Sequence, residues 1–356
     1  MSAMLAAGAA MSTLFTVPVG RLFNRWGPGP LSRTAGLFCL AAIAGLSVVP
    51  FDHEHMYFSI LIWILAGQSI LFTSVATYRG MGCLFTDKKR LIAFARMNIV
   101  SNLSDIVTPL IIGWLFFINP DLIPIVVGLL IFSNFLVPQP KIEASNPADA
   151  QKASLLSFAN LKKFPLAKPV YLAILIGAAI HSTLFIFDII IPMIGSSLSL
   201  TSKETGMVLS ALALSQAVSS TYLSLRPFPL EDLFKHFLNG LLFGGVILLL
   251  AFWTQGFTSL LVLTMGTGLG FGMIQPISMS LIYQHTSSAF VGDAVSIRLM
   301  LNSIGRICAP MLLAFAVGLM SATTFLTGIG CVMILLVAVL KWNMTDDQPP
   351  VESSSA

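Results

Sequence analysis

Asp105 and Arg306 each stand near the middle of a long apolar run. An ionised side chain at that depth of a bilayer costs roughly 2.5–3.5 kcal/mol on insertion scales. Something must offset the cost: a partner, water in a cavity, or a bound solute. Along the first run Asn98, Asn102, Asp105 and Pro109 fall at i, i+4, i+7 and i+11, which is one face of a helix. Along the second, Arg298, Asn302 and Arg306 fall at i, i+4 and i+8, also one face. A polar stripe on an otherwise apolar helix turns toward a cavity or a partner helix. Its chemistry is either the binding of a solute or protons, or an interhelical network that only holds helices together.

His181 and Asp188 lie seven apart and share a helical face. Histidine titrates near neutral pH, so the pair suits a proton relay. The other reading is a packed, hydrogen-bonded histidine with Asp188 wetted from the outer end of its span. Gln275 precedes Pro276 near mid-span and either lines a cavity or packs. Arg79 and Arg298 lie near span ends, where snorkelling to the interface is expected; gating salt bridges with Asp87 or Asp293 are the second reading.

The elements that position these residues follow from composition. Of 356 residues 56% are hydrophobic and only 10% charged, against about 25% charged in a soluble chain. A hydrocarbon core about 30 Å thick takes roughly 20 apolar residues per helix. About eleven such runs are expected, near 1–19, 34–51, 56–83, 91–117, 119–137, 168–195, 205–225, 235–254, 257–284, 293–318 and 320–342. The fold class is therefore all-α and polytopic, embedded in a lipid bilayer. Residues 1–19 lack a basic leading segment and read as a span, not a cleavable signal. The prolines Pro18, Pro109, Pro192, Pro276 and Pro310 predict kinks inside spans. Gly266, Gly268, Gly270 and Gly272 give two overlapping G-x-x-x-G pairs and predict close helix approach.

Lys and Arg alternate between loops. Arg21, Arg25 and Arg33, then Lys88, Lys89 and Arg90, then Lys141 to Lys168, then Arg226 and Lys235, and finally Lys341 fall on one side, while the opposite loops hold only Lys203. Positive-inside places the basic set in the cytoplasm. The net charge of +4 thus reports topology, and nucleic acid is not an expected partner. Cys39, Cys83, Cys308 and Cys331 all fall in apolar runs and read as small buried hydrophobes, without metal or disulfide spacing. No cofactor and no metal are expected.

The segments divide as a five-span bundle over 1–137, a cytoplasmic linker over 138–167, a six-span bundle over 168–342, and a disordered tail over 343–356. The end of the linker, with Leu155, Leu156, Phe158, Leu161 and Phe164 beside Lys162 and Lys163, suits either an interfacial amphipathic helix or a flexible tether. With Pro109 and Pro310 aligned, Asp105 and Arg306 coincide four residues earlier, an internal repeat of the kind transporter folds carry.

The first basic loop reads Gly20-Arg21-Leu22-Phe23-Asn24-Arg25-Trp26-Gly27. It resembles the loop between helices two and three of the major facilitator superfamily, G-x-L-x-D-R-x-G followed by basic residues. Gly20, Leu22, Arg25 and Gly27 match; Asn24 replaces the acidic residue, and Pro28-Gly29-Pro30 replaces the basic run. The resemblance covers nearly the whole chain. It implies a two-bundle fold and a gating role for the Gly20, Asn24, Arg25 and Gly27 loop. It also implies that the family's first helix does not precede residues 1–19: the chain is truncated, the helix was lost, or, as the preferred account, the start is misassigned. The family's third, sixth, ninth and twelfth helices are peripheral, and the corresponding spans 34–51, 119–137, 235–254 and 320–342 carry charges only at their ends. Thr108-Pro109 and Gly113 match only part of the G-P-x-x-G-G pattern of the superfamily's drug/proton antiporters.

The implied activity is secondary active transport of a small-molecule solute by alternating access, coupled to protons, by a monomer in a bacterial inner membrane. No G-x-x-x-x-G-K-[ST] loop is present, which excludes ATP-driven transport by this chain. Two other classes stand beside it. One is a non-transporting sensor or partner derived from such a transporter. The other is a membrane-embedded enzyme, for which His285 and Asp293 are the nearest candidates and lack a supporting motif; enzymatic activity is not expected.

Overall fold

The apolar runs are helices in the computed structural model, which describes residues 2–48, 55–118, 126, 128–129, 168–286 and 290–345. Eleven α-helices are traced among them, with two short 3-10 helices flanking α7: α1 (Ser2–Trp26), α2 (Pro28–Val48), α3 (Met56–Leu84), α4 (Asp87–Ile118), α5 (Lys168–Ser197), α6 (Ser202–Leu225), α7 (Leu233–Leu249), α8 (Phe257–Gly272), α9 (Ile274–His285), α10 (Val291–Leu319) and α11 (Ala322–Thr345). Among the described residues eight segments are long and apolar enough to cross a membrane, with α8 and α9 forming one of them. At 25 and 32 residues, α1 and α4 also have the length to span. The expected span 119–137 lies almost wholly outside the described residues, as do the linker 138–167 and most of the tail.

Local chemistry sets the ends. Gly27 alone separates α1 from α2. It has φ of 73°, and its N–H donates to Phe23 O at 2.8 Å. That left-handed cap favours glycine, which explains the last position of the loop motif. Thr201 caps α6 reciprocally: the Glu204 amide donates to Thr201 Oγ1 at 3.2 Å, and the Thr201 amide donates to Glu204 Oε2 at 2.8 Å.

Packing separates the chain into two groups. Helices α1, α2 and α3 pack on one another, and α5 to α11 form a larger group around α5, which is more fully buried than any other candidate span. The two meet where α1 runs along α10, and α4 bridges them, touching α3 lightly and running along α6 and α9. The two glycine pairs of α8 serve different neighbours. A Cβ on Gly266 or Gly270 would meet α7, at Ile247 Cγ2 (2.9 Å) and the Gly244 amide nitrogen (2.8 Å). A Cβ on Gly268 or Gly272 would meet α6, near the Leu212 carbonyl (2.6 Å) and Gln216 Cα (2.7 Å). Two interleaved faces of one helix thus let it sit between two others at backbone contact.

The cysteines differ from expectation. Cys83, Cys308 and Cys331 are exposed and Cys39 is half-buried. A helix facing lipid needs no protein cover over its small apolar residues, so an apolar run does not by itself imply burial against protein.

Candidate functional site

Prolines organise the site. Proline has no amide hydrogen, so the carbonyl four residues earlier loses its helical donor. Pro109, Pro192, Pro276 and Pro310 stand four residues after Asp105, Asp188, Gly272 and Arg306. Asp105, Asp188 and Arg306 therefore each coincide with a freed carbonyl.

Asp188 on α5 is exposed, and the charges of both Asp105 and Arg306 act on it. Asp105 stands on α4, which packs chiefly on α6 and α9 and not on α5, so its charge reaches Asp188 from a helix that is not a main neighbour of α5. Asp105 is exposed and Arg306 half-buried. The structure thus brings three predicted residues to one region. The amides beside them on their stripes lack partners: Asn102 is buried with Nδ2 unbonded, and Asn302 Oδ1 is likewise buried and unbonded.

Deeper lies Arg298, fully buried at 0% exposure. Its Nη2 donates to Gln275 Oε1 and its Nη1 to Ser278 Oγ. A Cβ at Gly177 would stand 2.6 Å from its Cζ, so glycine there lets the guanidinium lie against α5. Gln275 Nε2 also lies 3.4 Å from His181 Nδ1. Tyr78, Phe94, Asn98, Gln275, Pro276 and Met279 close around a constriction with no room for a water molecule.

Beyond it the two groups are locked together at the end that carries the basic loops. Asn98 Nδ2 donates to Ser220 Oγ (2.8 Å) and to Gly272 O (3.2 Å), and Ser220 Oγ donates to the same carbonyl at 3.0 Å. Arg96 Nε donates to Ser224 Oγ at 3.3 Å. Tyr283 donates its hydroxyl to Tyr78 O at 3.1 Å and lies under Arg90, whose Cζ is 4.8 Å from the ring centre. Arg79 donates to Gly20 O, sits 4.8 Å over the Phe23 ring, and presses on Gly292 of α10.

Arg79 and Arg298 do not snorkel. Both are buried between helices: Arg79 reaches from α3 to α1 and α10, and Arg298 reaches from α10 to α5 and α9 of its own group. The charge of Asp293 reaches Arg79. Of the loop motif, Gly20 meets Ser296 of α10, Gly27 makes the turn, and Arg25 is exposed; the Asn24 side chain lies outside the described residues. His285 is exposed at the end of α9. Sequence reasoning missed Tyr78, Gly177, Ser220, Ser278 and Tyr283. Only Pro276 hinted at them, by marking Gly272 as a carbonyl in need of a donor.

The model of the Major Facilitator Superfamily matches residues 1–310. The chain belongs to the Major Facilitator Superfamily. No curated protein matches it by sequence. Among solved structures, it is similar to the human organic anion transporter MFSD10 (TETRAN), with a TM-score of 0.78 at 16% identity, over 94% of this chain and 83% of that one. It is also similar to a variant of the E. coli fucose:proton symporter FucP, with a TM-score of 0.71 at 14% identity, over 95% and 90%. A second structure of FucP, in the outward conformation, matches with a TM-score of 0.72 at 14% identity, over 96% of this chain and 90% of that chain. At these identities the likeness is one of fold. The superfamily chain is thus an all-α integral membrane protein with the two-bundle architecture of membrane transporters.

Proposed function

We propose that this superfamily member is a secondary active transporter that moves a small solute by alternating access, with protons as the coupling ion. The carrying observation is asymmetry. The two groups are bonded together at the end with the basic loops, while Asp105, Asp188 and Arg306 share the space on the far side of the constriction. On this reading the basic loops are cytoplasmic, in a bacterial inner membrane, and the protein stands closed inward and open outward. The likeness to FucP in its outward conformation supports that reading, and the name of that protein, a fucose:proton symporter, supports the coupling ion. Residues 1–137 and 168–342 are the two rocking bundles. Asp105 and Asp188 carry the proton: the charge of Asp105 reaches Asp188, and carboxylates within reach of one another share a proton more readily than either holds one alone.

The test is proton flux. Full-length protein in liposomes loaded with a pH dye is offered a panel of solutes under an outward-to-inward pH gradient. Solute-dependent acidification is expected, lost in Asp105→Asn with solute counterflow retained. Acidification unchanged in Asp105→Asn and Asp188→Asn overturns the proton role, and no solute movement at all overturns the transporter.

A further inference from the structure

Arg298 is a buried cation without an anion. Its partners Gln275 and Ser278 are neutral, Gly177 offers no side chain, and its Nε has no acceptor. Among the described residues no carboxylate lies within ion-pair distance of it, and none is among the charges that reach it. Arg306 adds a second guanidinium: both arginines act on Tyr78 and on His181, which places those two side chains within the field of both. A buried charge left unpaired is among the costliest features a protein can keep, and it persists where a ligand completes it.

We propose that the solute supplies the missing anion: Tyr78, His181, Gln275, Arg298 and Arg306 form a site for a carboxylate. Gln275 Oε1 and Ser278 Oγ occupy the guanidinium of Arg298 in the closed state, and the planar fork suits a carboxylate in their place. Charge counting agrees. Asp105, Asp188 and Arg306 sum to neutral when one proton is bound, and of these four groups Arg298 is then the one left uncancelled. A cation placed among Tyr78, His181 and Gln275 would face the guanidinium groups of Arg298 and Arg306, and a neutral solute would leave Arg298 uncompensated. The proposal rests on the transporter reading and names the solute class.

The test uses triads that share a shape and differ in charge: acetate, acetamide and acetamidine; benzoate, benzamide and benzamidine; 2-naphthoate, 2-naphthamide and 2-naphthamidine. Each is titrated against purified full-length protein while thermal unfolding is followed. In at least one triad only the carboxylate should raise the melting temperature, and Arg306→Gln and Arg298→Gln should weaken its affinity about 10- to 100-fold. Arg298→Lys keeps the charge and should lose less. Arg306 is half-exposed, so Arg306→Gln reports even if Arg298→Gln does not fold. Stabilisation by an amide or amidine equal to that of its carboxylate, carboxylate affinity unchanged in Arg306→Gln, or no stabilisation by any carboxylate overturns the site. Counterflow of the same compounds in liposomes separates the two readings. Movement of an amide without its carboxylate sinks the anion site alone, and movement of nothing in the triads or the wider solute panel sinks the transporter.

Discussion

Asn98 of α4 donates to the carbonyl of Gly272 at 3.2 Å, the oxygen that Pro276 leaves without a helical donor. Ser220 shares that acceptor at 3.0 Å and itself accepts from Asn98 at 2.8 Å. A carbonyl stripped of its own partner in an apolar setting strongly favours whatever donor reaches it. The bond therefore forms only when α4 closes on the α8–α9 span. Asn98→Ala should remove about 1 kcal/mol from the closed arrangement, a several-fold shift toward the form open at the basic-loop end. Pro276→Ala, which restores a competing amide, should shift it the same way. The reporter is Ser296→Cys in a cysteine-free background. Ser296 is buried at the α1–α10 contact, and its labelling by a thiol reagent should speed up in both variants. Unchanged labelling would show that Asn98 does not hold the closure.

Gly20→Ala tests the neighbouring contact. An added Cβ would collide with the Ser296 hydroxyl of α10. Overpacking of this kind costs about 1–3 kcal/mol. The cost falls on the closed form alone, since α1 and α10 part when that end opens. Transport by Gly20→Ala should slow while thermal stability changes little. Gly20→Ala with Ser296→Ala should recover most of the rate, because the Ser296 Cβ stands farther off at 3.2 Å. A double variant no faster than the single one contradicts the contact.

The α8 glycines make a graded prediction about stability. At Gly270 the obstacle is backbone, the Gly244 amide nitrogen at 2.8 Å, which cannot move without separating α7 from α8. At Gly266 the obstacle is the Ile247 side chain at 2.9 Å, which can be trimmed. Gly270→Ala should lower the melting temperature in detergent more than Gly266→Ala does. Ile247→Ala should rescue only the second. Equal losses at the two positions would mean that the close approach of α7 and α8 contributes little.

Much of this architecture is legible in the amino-acid sequence. Charge depth and the shared register to Pro109 and Pro310 single out Asp105 and Arg306, and the glycine spacing in α8 announces close packing. What stays hidden is what depends on contacts far apart in the chain. An arginine near the end of a span has the same local pattern whether it leans toward the interface or inward. For Arg298 the decision is made by Gly177 on α5 and Gln275 on α9, neither of which its own helix can signal. Pro276 marks a free carbonyl, but the donor that takes it stands 174 residues earlier. The cysteines mislead for a related reason: hydropathy cannot separate a lipid-facing position from one packed on protein.

Arg79 offers the sharpest test of the closed end. Its guanidinium donates to the Gly20 carbonyl, covers the Phe23 ring at 4.8 Å and lies against Gly292, so one side chain of α3 touches both α1 and α10. A hydrogen bond from a charged donor contributes about 1.5–3 kcal/mol, and a cation over an aromatic ring about 0.5–2 kcal/mol. Arg79→Lys keeps the charge but has no planar fork to meet a carbonyl and a ring together. It should therefore fall much closer to Arg79→Gln than to the wild type in the rate of solute entry into liposomes. Gly292→Ala should imitate both by displacing the guanidinium from the α10 side. If charge alone mattered, through the field of Asp293, Arg79→Lys would transport normally and Gly292→Ala would be silent. That pair of outcomes would assign the closure to electrostatics across the interface and not to the fit of one planar group between two helices.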